Sequence, residues 1–128
     1  MKKISKIFLL IFALIFTITG CTGVDAPGET GQEIITAKEA LNTVSQEGVV
    51  LVDARNSGDY KNEHVKGAVN IARNDITTFG PFPNMLDSAG AIEKEFSEKG
   101  ISNDSTVIVY DSNNNMDSAR LWWTMKVY

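Results

Sequence analysis

Two unbroken apolar runs, Val49-Val50-Leu51-Val52 and Thr106-Val107-Ile108-Val109-Tyr110, limit the fold more than any other feature of this chain. A strand with one wet face alternates apolar and polar side chains, whereas a continuous β-branched run has to be covered on both faces. Helix layers on either side of a parallel sheet supply that cover. The segments between the runs have helical character. Thr36-Ala37-Lys38-Glu39 has capping-box spacing, and Ala40, Leu41 and Val44 form one helical face behind it. Gly48 closes that helix before the first run. Ser57 to Glu63 predicts one or two helical turns, and Gly67-Ala68-Val69-Asn70-Ile71 a second short strand. Thr77 to Asn84, with Gly80, Pro81 and Pro83, reads as loop. Ala89 to Lys99 predicts a helix with Ile92 and Phe96 inward, ended by Gly100. Asp111 to Asp117 is a polar loop, and Ser118 to Tyr128 a helix carrying Leu121, Trp122 and Met125. The expected class is α/β, a parallel sheet flanked by helices. A βα pattern that reaches Tyr128 in a helix calls for another strand. The sheet is therefore expected to be incomplete at its C-terminus, with an apolar edge and marginal stability alone.

The first twenty residues have a different character. Lys2, Lys3 and Lys6 precede twelve residues, Ile7 to Ile18, that are all apolar except Thr17. That is the charged and apolar order of a secretory signal. As a helix the run would span about 18 Å at 1.5 Å per residue, short of a ~30 Å hydrocarbon core. Ile18-Thr19-Gly20-Cys21 resembles the lipobox of bacterial lipoproteins. The resemblance implies thioether attachment of diacylglycerol to Cys21, cleavage before it, and a lipid-anchored protein on the exported face of the cell membrane. The plainer alternative is an ordinary secretory signal followed by a chance cysteine. Residues 22–31, rich in Gly, Thr, Pro and acidic side chains, read as tether. The expected division is a signal over 1–20, a tether over 21–32 and a folded domain over 33–128.

Composition closes several routes. Cys21 is the only cysteine and His64 the only histidine, so neither an intrachain disulfide nor a Cys/His zinc site is available. No cofactor or metal is expected. Beyond residue 20 the chain carries nine basic and sixteen acidic side chains, net −7, which argues against nucleic acid as a partner.

Val49 to Ile71 reads VVLVDARNSGDYKNEHVKGAVNI. It resembles the first signature of the rhodanese superfamily, carried here by Asp53, Arg55, Asp59-Tyr60, His64-Val65 and Gly67-Ala68-Val69-Asn70. Glu63 stands where that signature usually has Gly. A second block resembles the latter half of the N-terminal domain of two-domain thiosulfate sulfurtransferases. It rests on Gly100-Ile101-Ser102, Val107-Ile108-Val109-Tyr110-Asp111 and Ala119-Arg120-Leu121-Trp122-Trp123. Together the likeness covers residues 33–128. It implies a rhodanese-like fold and a family chemistry in which a Cys thiolate takes up sulfane sulfur and hands it to a thiophilic acceptor. That Cys sits between a strand and a helix N-terminus, where N–H groups and the helix dipole depress its pKa. Here the position after the strand is Asp111. A carboxylate forms no persulfide, and Ser112 to Asp117 lacks the Cys-x-x-Gly-x-Arg pattern of an active single-domain rhodanese. The position is therefore expected to be filled but inert, so this chain has no catalytic residue of its own.

The remaining candidates are Asp53, Arg55, His64 and Arg120. Asp53, at a strand end, is suited to bonding loop N–H groups, and Arg55 to tying loops together, rather than to acid–base work. His64 has no serine, thiol or carboxylate partner in the motif, so a hydrogen-bonding role outweighs a proton shuttle. Arg120 is open between binding a small sulfur-containing anion and packing against loop or interdomain carboxylates. Trp122 and Trp123 are adjacent and cannot share a helix face, so one is expected in the core and the other exposed. The resulting expectation is the inactive N-terminal domain of an exported, lipid-anchored sulfurtransferase, with a second rhodanese domain in the parent chain. The alternative is a non-catalytic rhodanese-like binding or interaction module at the cell surface. An incomplete reading frame without a function of its own is a third option.

Overall fold

The computed structural model describes residues 33–128. The signal, Cys21 and the tether expected from the sequence lie outside the described residues. Thr36 starts the first helix, α1 (Ala37–Thr43), by the expected reciprocal cap. Its hydroxyl accepts the Glu39 N–H at 3.3 Å, and the Glu39 carboxylate accepts the Thr36 N–H at 2.8 Å. There follow β1 (Val49–Asp53), α2 (Ser57–Asn62), β2 (Val69–Asn70) and a 3₁₀ turn at Arg73–Asp75. β3 (Thr77–Thr78), β4 (Met85–Leu86), α3 (Ala89–Glu98), β5 (Thr106–Tyr110) and α4 (Met116–Val127) complete the order.

The two apolar runs lie side by side. β1 is the middle strand of a parallel sheet ordered β2-β1-β5, with Val49 opposite Thr106 and Asp53 opposite Tyr110. Period-two alternation splits their side chains between two cores. Val52, with Ala54, Ile71, Ile76 and Leu121, forms one, against which Val50, Val107, Val109, Phe96 and Met125 pack. Leu51, Ala68 and Ile108 form the other, covered by Ile35, Ala40 and Val44. This is why both runs are continuously apolar: each strand meets helix or loop on both sides. At about 1.5–3 kcal/mol per fully buried aliphatic side chain, Val52, Ile71, Ile76, Ile92 and Leu121 dominate the burial.

α3 ends as its sequence predicts. Gly100 takes φ 77°, its N–H bonds the Ser97 carbonyl at 3.0 Å, and Ile101 N–H bonds the Phe96 carbonyl at 2.9 Å. That is a Schellman closure, which needs a residue tolerant of the left-handed region. Phe96 and Ile101 then pack on the same core.

Several expectations are corrected. Leu41 is 62 % exposed, because so short a helix turns only Ala40 and Val44, four residues apart, toward the sheet. The second strand shrinks from Gly67–Ile71 to Val69–Asn70. Thr77–Thr78 is not loop but pairs antiparallel with Met85–Leu86, so the Gly and Pro residues fall in the turn between them. α4 begins at Met116 rather than Ser118. Neither tryptophan is core: Trp122 is 38 % and Trp123 49 % exposed, because the inward line of α4 is Ser118, Leu121, Thr124 and Met125. Ile35–Tyr128 forms one compact unit. Among the described residues no helix is long and apolar enough to cross a membrane.

Candidate functional site

The C-terminal ends of β1 and β5 gather most of the sequence-predicted site residues. Asp111 is the first residue after β5, and its carboxylate turns back over the loop that leads into α4. Oδ1 accepts the N–H groups of Asn113 at 2.9 Å and Asn115 at 3.1 Å. Oδ2 accepts those of Asp117 at 2.9 Å and Ser118 at 2.8 Å. Four backbone donors thus converge on one side chain. Asn114 and Asn115, at φ 53° and 62°, let the chain curl tightly enough, and Asn tolerates that region better than most residues. Asn115 stands at the N-cap of α4 but makes no side-chain cap. Asp111 performs the cap from four residues upstream, adding its charge at the positive end of the helix. Burial pushes its carboxyl up, but the donated N–H groups of Ser118, Asn113 and Asn115 outweigh that and hold it below the ordinary 3.8.

A second cluster lies beside it. Asp53 is fully buried. Its Oδ1 accepts the Arg55 N–H at 2.9 Å, and its Oδ2 pairs with Arg55 Nη2 at 2.7 Å. The Tyr110 hydroxyl donates to Asp53 Oδ2 at 2.7 Å and accepts the Val65 N–H at 3.1 Å. Arg55 Nη2 also donates to the Glu63 carbonyl at 2.6 Å. Asn70 Nδ2 closes the ring by donating to the carbonyls of Asp53 at 2.8 Å and Arg55 at 2.9 Å. Burial pushes the Asp53 carboxyl up, yet the Arg55 and Tyr110 hydrogen bonds leave it below 3.8. For Tyr110, burial and the neighbouring Asp53 carboxylate push the phenol up. Both Asp53 carboxylate oxygens, the Tyr110 hydroxyl and Asn70 Nδ2 are all engaged within the protein. The arrangement ties β1, β2, β5 and the 63–65 loop together.

His64 sits exposed at the rim, stacked on Tyr60 with ring centroids 4.0 Å apart. Its Nδ1 is 2.8 Å from the Tyr60 carbonyl, which only accepts, so Nδ1 carries the proton. Arg120 stands apart on α4, where Nη2 donates to the Asn84 carbonyl. Among the described residues it meets neither a carboxylate nor the Asp111 loop. Cys21 lies outside the described residues. The sequence reading missed Tyr110 and Asn70 as members of the Asp53 ring, and Arg73, whose guanidinium pairs with Asp117 at 2.8 Å beside the α4 N-terminus. The Asn70 of Gly-Ala-x-Asn and the residue opposite Asp53 in the parallel register were the available signals. Among the described residues, no group of three or more His, Cys, Asp or Glu side chains is placed to hold a metal.

What the arrangement offers chemically is a nest of four N–H donors at a helix N-terminus, suited to hold one negative charge. The protein's own carboxylate supplies that charge. The family profile described as Rhodanese-like domain matches residues 36–128. The protein named "Putative thiosulfate sulfurtransferase" in Mycobacterium tuberculosis (strain ATCC 25618 / H37Rv) is 31% identical over 97 residues, covering 74% of this chain and 34% of that protein. Its namesake in Saccharopolyspora erythraea is 33% identical over 93 residues, 72% of this chain and 32% of the relative. The 3-mercaptopyruvate sulfurtransferase of Escherichia coli (strain K12) is 33% identical over 73 residues, 55% and 25% of the two chains. The chain spans about a third of the length of the first two relatives, 34% and 32%.

Proposed function

The chain belongs to the rhodanese-like domain family, and on that premise we propose that it is the non-catalytic domain of an exported, lipid-anchored sulfurtransferase. The observation that carries the reading is Asp111. In the family chemistry a thiolate attacks the sulfane sulfur of a donor such as thiosulfate. The donor's S–S bond breaks, sulfite leaves with the electron pair, and a persulfide remains for an acceptor thiol or cyanide. Asp111 stands in the loop where that thiolate would sit and fills the N–H nest with oxygen. Sulfur loading therefore falls to another rhodanese-like domain of the parent protein. The share of the sulfurtransferase relatives left unmatched, about two thirds of each, supports this. The lipid on Cys21 would hold the assembly at the membrane, since two acyl chains anchor at about 0.8 kcal/mol per buried CH₂. The substrate class is a small sulfane-sulfur anion.

The test is a thiosulfate:cyanide sulfurtransfer assay on the native lipoprotein beside this chain alone. Turnover is expected in the first and none in the second. A persulfide on this chain by itself would refute the reading. The Asp111 nest equally supports a non-catalytic binding module at the cell surface. That alternative gains if the native lipoprotein transfers no sulfur yet binds a partner or anion saturably.

A further inference from the structure

One apolar strip on the described surface is claimed by neither core. Met116, Arg120, Trp123 and Val127 follow one another at helical spacing along α4, and the three apolar members stay about half exposed. The β3–β4 hairpin runs beside this stripe. Arg120 Nη2 donates to the Asn84 carbonyl, and the Tyr128 hydroxyl donates to the Asp87 carbonyl at 3.3 Å. Asn84 thus lies beside Arg120, one turn into the stripe, and Asp87 at its end. Met85, also about half exposed, falls between them in the chain. Arg120 and Tyr128 are eight positions apart along the helix, about 12 Å.

The part of this strip from Arg120 to Asp87 carries opposite charges at its two ends. Arg55 and Arg73 each hold a carboxylate, at 2.7 and 2.8 Å. Arg120 has no ion-pair partner among the described residues; its Nε is buried, so only the partly exposed tip of the guanidinium faces outward. Asp87 has no basic partner among them either; its Oδ1 takes the Ser88 N–H at 2.6 Å. Monomers seldom leave such apolar surface bare, and Met, Trp and Arg are the residue types that interface centres collect. A twofold axis through the middle of the strip, near Trp123, lays one copy of α4 antiparallel across the other. It sets Arg120 of each copy opposite Asp87 of the other, with the apolar side chains between. A surface with a cation at one end and an anion at the other is complementary to itself under that rotation, as an isologous contact requires. We infer that two copies of this chain associate through the α4–hairpin strip, closed at each end by an Arg120–Asp87 ion pair between copies. The inference uses none of the residues on which the sulfur-transfer reading rests.

Sedimentation velocity of the 128-residue chain in dodecyl maltoside, over a wide concentration range, tests it. A dimer is expected. Arg120→Asp or Asp87→Arg alone sets like charges against each other at both ends and weakens the dimer about tenfold or more. The Arg120→Asp/Asp87→Arg double exchange restores it to within about threefold of the parent, which a misfolded variant does not do. Trp123→Ser, with the charges intact, also weakens it. A monomer at every concentration overturns the inference. So does a dimer indifferent to the charge exchanges, as when the apolar N-terminal run alone holds it.

Discussion

The Asp111 carboxylate accepts the Ser118 backbone N–H at 2.8 Å, so the side chain that follows β5 also starts α4. Because the same carboxylate takes three further N–H groups, the loop between strand and helix folds around one charge. The nest is a structural device as it stands. The features that would activate a thiolate here organise a carboxylate.

Asp111→Asn keeps the shape but presents an amide NH₂ where two backbone N–H groups need an acceptor. Asp111→Ala removes all four acceptor bonds and the remote cap. Loss of a cap costs about 0.5–2 kcal/mol, and an orphaned donor about 1–3 kcal/mol. Both variants are expected to lower the urea midpoint, with Ala at least as damaging as Asn. An unchanged midpoint in both would show that the loop does not depend on this side chain.

Acid should reveal the same carboxylates. Asp111 and Asp53 are both held below 3.8 in the fold despite their burial, by donated N–H groups in one case and by Arg55 and Tyr110 in the other. A folded value below the unfolded one means that the unfolded chain binds protons first as pH falls. The stabilisation is therefore complete above about pH 5 and is lost progressively as pH drops through the unfolded and then the folded values. Urea midpoints measured from neutral pH downward should fall steeply below about pH 4. Asp111→Asn should flatten the decline, and an identical slope in parent and variant speaks against the linkage.

Tyr110→Phe tests the ring around Asp53. The hydroxyl both donates to Asp53 Oδ2 and accepts from Val65, so its removal strands one group on β1 and one on the 63–65 loop. The expected loss is about 1–3 kcal/mol. Asp53→Asn breaks the buried partner of Arg55 and should cost more, about 3–5 kcal/mol. The double variant should cost less than the two losses added, because both act on one network. Strict additivity in chemical denaturation would separate Tyr110 from the ring.

The fold was legible where one local rule decided the outcome. Continuous β-branched runs became parallel neighbours, Thr36 with Glu39 became a capping box, and Gly100 closed α3. Errors arose where tertiary context decided. Leu41 has the right residue type for a core, but a seven-residue helix has only one line to spend on the sheet. Adjacency rightly separates the faces of Trp122 and Trp123 but does not say that either face is the inward one, and the inward line of α4 is set by Leu121 and Thr124. The Thr77–Thr78 pairing went unseen because a two-residue ladder leaves no periodicity to read. At the site, Asp111 stood out by its position after β5. Its four hydrogen bonds did not, since consecutive left-handed Asn residues are visible only as composition. Arg73 was invisible for a similar reason: its partner Asp117 is 44 residues away.

Asp111→Cys asks whether the nest retains the electrostatic character that a sulfur nucleophile needs. The substitution shortens the side chain by one position and exchanges two oxygens for one larger sulfur, so not all four N–H bonds can persist. Those of Asp117 and Ser118, in the first turn of α4, point along the helix axis and add to its dipole. A thiolate there is stabilised and a thiol is not, so the new cysteine should titrate below the ordinary 8.5 or so of a free thiol. In a Cys21→Ser background it is the chain's only cysteine, and the pH dependence of its alkylation by iodoacetamide reads its ionisation directly. Half-maximal rate is expected at least about one pH unit below that of an exposed cysteine placed at Lys94. Equal profiles at the two positions would mean that the loop holds Asp111 by shape alone, and that its N–H groups relax once the carboxylate is gone.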